Sequence, residues 1–132
     1  MNYIPLNIKT EYDLMNSLIR IDDIILYAKS TNLTALGITD TNMFGALEFI
    51  NKCKANDIKP IIATELYIGE EYFILYAKNY EGFVSLCKIV SKKNLDTLTF
   101  DYIKELNKDL ICVTSIKHYQ NIKEYFDEIY IK

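Results

Sequence analysis

From Ile4 to Lys9 apolar and polar side chains alternate, with Leu6 and Ile8 on one face, and this period of two predicts a first strand. Pro5 confines it to an edge or a strand start. From Ile21 the spacing lengthens to Ile21, Ile24, Ile25 and Ala28, one face of a helix, with Asp22 and Asp23 early where the helix dipole favours negative charge. The short run Ala35-Leu36-Gly37-Ile38-Thr39 predicts a second strand, ending in a polar turn, Asp40-Thr41-Asn42, able to cap the next helix. Met43, Leu47 and Ile50 recur at helical spacing, and Asn56-Asp57 closes that helix. Lys59-Pro60 leads into a third strand, 61–68.

Only Gly69-Glu70-Glu71 separates that strand from the next, 72–77, too short for a parallel crossover and suited to a hairpin. Phe83, Leu86, Cys87 and Val90 then mark a helix, and Thr99 is placed to cap a shorter one through about 107. Leu110-Ile111-Cys112-Val113-Thr114 reads as a buried strand, followed by a weak helix over 119–126 and a terminal strand, 129–131. Strands alternating with helices, interrupted by one hairpin, predict an α/β fold whose sheet is mixed but mostly parallel. No repeat or low-complexity linker divides the chain, and 132 residues, 50% of them hydrophobic, suffice for one domain with a continuous core.

The net charge of −3 gives no broad electrostatic footprint for nucleic acid. The interleaved Tyr and Lys residues run through loops and elements alike, so they are discounted as a base-stacking surface. Cys53, Cys87 and Cys112 lie far apart within apolar stretches and are expected to be buried free thiols. No apolar run approaches the roughly 18 residues of a membrane span, and the N-terminus lacks the pattern of an export signal. A cytoplasmic protein with no membrane partner is expected.

Several words of the sequence then combine. Arg20-Ile21-Asp22-Asp23-Ile24, Ala35-Leu36-Gly37-Ile38-Thr39-Asp40, Asn42-Met43-Phe44-Gly45-Ala46 and Ile58-Lys59-Pro60-Ile61-Ile62 occur in order at nearly the spacing of one family. With Thr10-Glu11-Tyr12, Glu65-Leu66-Tyr67, Tyr76-Ala77-Lys78-Asn79, Gly82-Phe83 and Leu110-Ile111-Cys112, the chain resembles the polymerase and histidinol phosphatase (PHP) domain that opens bacterial DNA polymerase III alpha subunits. The likeness spans about 3–115, with 116–132 matching weakly. The resemblance implies a distorted (β/α) barrel with helices outside, of which the chain is the N-terminal portion, expected as a single domain over 1–132.

It also implies a site. An intact member binds a metal cluster that activates water and holds a phosphate, which requires many imidazole and carboxylate ligands at one mouth. The histidine-any-histidine positions of the first strand read Asn7 and Lys9 here, and the threonine-aspartate-histidine motif reads Thr39-Asp40-Thr41. An amide is a weak ligand and a protonated lysine is none. Asp40 and Glu65 remain as weak candidates for a hard cation. Asn7, Lys9, Asp40, Thr41 and Glu65 are therefore read as vestigial metal-site positions, with no catalytic residue and no metal expected. An ion cluster of Lys9 with Asp40 and Glu65 is expected to replace lost positive charge. His118, outside the motifs, is expected to be a surface or cap residue, while Met43 and Phe44 are placed in the core and Gly45 in a helix packed closely on the sheet.

The functional expectation is a non-catalytic module of a replicative, DNA-directed DNA polymerase, a nucleotidyltransferase whose magnesium-dependent site lies outside this chain. Its partners would be the rest of the alpha chain, other replisome subunits and, through the parent, DNA; exposed edges also allow a dimer of the isolated chain. The alternative is a residual metal-dependent phosphoesterase or nuclease.

Overall fold

The computed structural model describes residues 3–13 and 17–132, which divide into two compact units, one ending at Ile62 and the other running from Ala63 to Lys132. The boundary falls inside one long strand, so each unit holds part of it.

In the first unit, α1 (Ile21–Ser30) buries Ile21, Ile24, Ile25 and Ala28, the four residues that the helical spacing selects. Its N-cap, Arg20, makes no side-chain cap; instead the Glu11 carboxylate, ten residues upstream, accepts from the Ile21 N–H at 3.3 Å, and Arg20 lies 3.8 Å from the same carboxylate. A negative side chain at a helix N-terminus satisfies an otherwise orphaned donor and complements the dipole. The helix ends through Asn32 at φ 58°, a left-handed position that Asn tolerates.

β1 (Ala35–Ile38) is buried at every position and pairs in parallel with the start of β2 (Lys59–Ile68), Ala35 opposite Lys59 and Ile38 opposite Ile62. β2 thus begins two residues before the predicted third strand. Pro60 is accommodated near the strand's start, where a missing N–H is least disruptive. The predicted first strand is not a regular one. Residues 5–9 run alongside β1 with a single parallel bridge, Ile8 to Ile38, supported by Gly37 N–H to Pro5 O at 2.7 Å and Thr39 N–H to Ile8 O at 2.9 Å. The approach is close enough that a Cβ on Gly37 would lie 2.9 Å from the Leu6 Cα, which explains the glycine between Leu36 and Ile38 in a buried strand.

The second helix, α2 (Ala46–Ala55), buries Ala46, Phe49 and Cys53. The face expected from Met43, Leu47 and Ile50 is wrong: Leu47 is 65% exposed, and Phe44, placed in the core with Met43, is 74% exposed. The helix starts only at Ala46, after a turn, so a count from Met43 follows its outer side. Gly45 is the N-cap, not an interior residue, and its close neighbour is the ring of Tyr12, whose Cδ2 would lie 2.6 Å from an added Cβ.

In the second unit the remainder of β2 forms the expected hairpin with β3 (Glu71–Ala77), antiparallel, turning at Gly69 with φ 60°. β3 pairs antiparallel with β4 (Leu110–Thr114), and β4 pairs parallel with β5 (Ile129–Ile131). Counting the Ile8–Ile38 bridge, parallel pairings outnumber antiparallel ones, as the sequence predicts. α3 (Tyr80–Leu95) is capped by the Asn79 side chain accepting from Gly82 N–H at 2.9 Å, and α4 (Phe100–Leu106) by Thr99 accepting from Tyr102 N–H at 3.3 Å. The weak helix near the end is α5 (Ile116–Ile122), continued by a 3-10 turn, Lys123–Tyr125. Phe73 centres the core here, 5.5 Å from the Phe100 ring and 5.7 Å from Phe126, separations typical of favourable aromatic pairs. Among the described residues no helix is long and apolar enough to cross a membrane.

Candidate functional site

The extended segment before Thr10 and the end of β1 bring four of the five predicted site residues into the first unit. Asn7 and Lys9, two residues apart, both reach Thr39, as alternate positions of an extended chain allow. The Lys9 ammonium donates to the Thr39 carbonyl at 2.6 Å and to its hydroxyl at 3.3 Å, and the Thr39 hydroxyl in turn donates to the Asn7 amide oxygen. Lys9 also lies 3.9 Å from a carboxylate oxygen of Asp13. The backbone carbonyl of Lys9 is itself held by the Ser17 hydroxyl at 2.7 Å.

Asp40 is fully buried. Both of its oxygens accept from Thr10: the backbone N–H reaches Oδ1 at 2.7 Å and the hydroxyl donates to Oδ2. Burial pushes the Asp40 carboxyl above its ordinary range, the Thr10 hydrogen bonds pull it back, the charge of Asp13 raises it further and Lys9 lowers it. Thr41, at the position where the resemblance implies an imidazole, repeats this arrangement in reverse. Its N–H donates to Asp13 Oδ2 at 3.1 Å and its hydroxyl to Asp13 Oδ1 at 3.0 Å. Asn42 closes the same seam by donating to the Tyr12 carbonyl at 2.8 Å.

Asp13 is as buried as Asp40, and sequence reasoning does not select it. The signal for it is weak: a threonine and an aspartate in each of two polar turns, Thr10 and Asp13 in one, Asp40 and Thr41 in the other. Glu65 belongs to the second unit, where its carboxylate accepts from the Tyr72 hydroxyl at 2.9 Å; burial first, and then this bond and charge, raise that phenol well above its ordinary value. His118, on α5, contacts Glu71 through Nδ1 at 2.7 Å, and Asn121 donates to the other oxygen of Glu71 at 2.9 Å. The single histidine thus ties α5 to the first residue of β3, with only 13% of its side chain exposed. Among the described residues no group of three or more His, Cys, Asp or Glu side chains is arranged to hold a metal ion.

Comparison with known proteins gives a match to the PHP domain model over residues 5–131, extending beyond the point at which recognisable family words end. The DNA polymerase III subunit alpha of Staphylococcus aureus strain Mu50 is 33% identical over 132 residues, covering 92% of this chain and 12% of the relative. That of strain COL is 35% identical over 116 residues, 82% of this chain and 11% of the relative. The subunit alpha of Ureaplasma parvum serovar 3 is 40% identical over 87 residues, 65% of this chain and 9% of the relative. The chain therefore spans about an eighth or less of the length of these relatives. Matched by the family model along nearly its whole length, and by relatives that share a third or more of the aligned residues, the chain belongs to the PHP domain family.

Proposed function

We propose that this chain is a non-catalytic PHP module of a replicative DNA-directed DNA polymerase, with a degenerate metal site. One observation carries the reading: Lys9, at a position where the resemblance implies an imidazole ligand, directs its ammonium to the Thr39 carbonyl and sits beside Asp13. A multinuclear centre needs free lone pairs from several imidazoles and carboxylates. Here the oxygens of Asp40 and Asp13 accept from Thr10 and Thr41, and a fixed positive charge stands among them. The donor set does not fit the family's metal cluster.

In this reading nucleotide addition, and the magnesium ions it uses, belong to another part of a longer polymerase chain. The module contributes to assembly or stability with the rest of the alpha chain and other replisome subunits, and meets DNA through them. The test is direct: titrate the 132-residue chain with Mn2+ and Zn2+ by calorimetry, and assay it for hydrolysis of a phosphomonoester and of single-stranded DNA. Neither binding heat nor turnover is expected. Metal-stimulated hydrolysis abolished by Asp40→Asn would replace this reading with that of a residual phosphoesterase.

A further inference from the structure

The turns 10–13 and 39–42 are joined by a reciprocal lattice: each contributes one threonine and one buried aspartate, and each threonine places both its N–H and its hydroxyl on the aspartate of the other turn. We propose that this lattice, with Lys9 as its resident cation, fixes the two turns against each other without a divalent ion. The proposal rests on the metal-free reading above and adds what takes the place of a metal as a cross-link.

Two carboxylates buried in one seam repel each other and lose their hydration, a penalty that must be met by donors or a cation. A divalent ion would meet it by drawing oxygens from both turns to one centre. Here the same oxygens receive four hydrogen bonds across the seam, from partners 28 or 30 positions away in sequence, so the bonds close the turns on each other rather than within themselves. Hydrogen bonds to an ionised acceptor are stronger than neutral ones. The remaining positive charge comes from Lys9, which is anchored on Thr39 immediately before Asp40 and lies 3.9 Å from Asp13. The ammonium also deters a divalent cation from the seam by repulsion.

The test uses urea unfolding of the 132-residue chain as wild type, Lys9→Met, Asp13→Asn and the double variant, each with a chelator or with millimolar Mn2+. Lys9→Met keeps the apolar stem and removes the charge. It is expected to raise the unfolding equilibrium constant by about tenfold, and Lys9→Arg by much less. The double variant is expected to fall short of the product of the two single effects by at least about threefold, the sign of direct coupling. Strictly multiplicative effects, or a Lys9→Met chain as stable as wild type, would overturn the inference. The wild-type chain supplies a readout that needs no variant: the amides of Thr10 and Thr41 should exchange slowly, and equally so in chelator and in manganese. Rapid exchange at either would also overturn it. A wild-type midpoint raised by manganese and lowered by chelator would instead defeat the metal-free reading itself. Lost coupling with no metal effect would defeat only the lattice.

Discussion

Replacing Thr10 with Val isolates one strand of the seam. Thr10 is fully buried and valine has nearly its shape, so the change opens no cavity and removes only the hydroxyl. That hydroxyl donates to Asp40 and accepts the Tyr12 N–H at 3.2 Å, so one buried carboxylate oxygen and one partly buried amide lose their partner. A hydrogen bond to a charged group contributes about 1.5–3 kcal/mol, and the orphaned groups keep their desolvation cost, so a loss of about 2–3 kcal/mol is expected. With a urea dependence of about 1–3 kcal/mol per molar, the midpoint should fall by roughly 1 M. The pH profile offers an independent check. Because burial raises the folded Asp40 carboxyl above its ordinary value of 3.8, the folded state retains a proton that the unfolded chain has already released. Stability from this group is therefore present below that value and declines as pH rises through the folded one. Thr10→Val removes a bond that lowers the folded value, so the decline should extend to higher pH, whereas Asp40→Asn should abolish it. A Thr10→Val chain within about 0.5 kcal/mol of wild type, with the same pH profile, would refute the assignment of Thr10 as the partner that stabilises buried Asp40.

Gly82→Ala tests the second unit. A Cβ there would stand 2.3 Å from the Asp109 carbonyl oxygen, which is already fixed by the Lys78 N–H at 2.9 Å, so about 1–3 kcal/mol should be lost despite the helix propensity of alanine, and a urea midpoint at or above wild type would contradict this. Thiol labelling should separate the cysteines: burial pushes the thiols of Cys53 and Cys112 up to about 12, while Cys87 is only half-buried, so near pH 8 the native chain should show Cys87 reacting first and the other two only on unfolding. Peptide mapping that found Cys112 labelled as fast as Cys87 would contradict the enclosure of β4.

The elements most legible in the sequence are those whose stabilisation is local. α1 follows from its four-residue stripe, the β2–β3 hairpin from a short Gly-led turn, and α4 from the Thr99 cap. Errors arise where the partner is distant. Alternation in 4–9 suggests a strand, but only one bridge to β1 forms: Pro5 has no N–H to give, and beyond Ile8 the Lys9 carbonyl is taken by Ser17 and the Thr10 N–H by Asp40. In α2 the helical period is right and its origin misplaced, since a turn rather than a helix occupies 42–45, and the stripe Ala46, Phe49, Cys53 is the buried one. Glu11, whose role no local rule suggests, proves to cap a helix ten residues on.

The site shows the same division more sharply. That Asn7, Lys9 and Thr41 stand where the resemblance implies imidazoles can be read from the letters alone, because it requires only the family spacing. What surrounds these positions cannot, because Asp13 and Thr10 act on residues 28 and 30 positions away and carry no local signature beyond a threonine and an aspartate in a polar turn. Lys9 is expected beside Asp40 and does lower its carboxyl, but its bond to the Thr39 carbonyl and its approach to Asp13, a residue that the family words do not include, carry no such signal. This difference has a physical basis. A metal centre rewards convergence of many ligands on one point, whereas hydrogen bonds are directional and pairwise, so a seam that relies on them recruits a specific donor for each carboxylate oxygen. Buried without donors, Asp40 would cost several kcal/mol. The matched pairs Thr10–Asp40 and Thr41–Asp13 instead supply those donors from the backbone and hydroxyls of the same two turns.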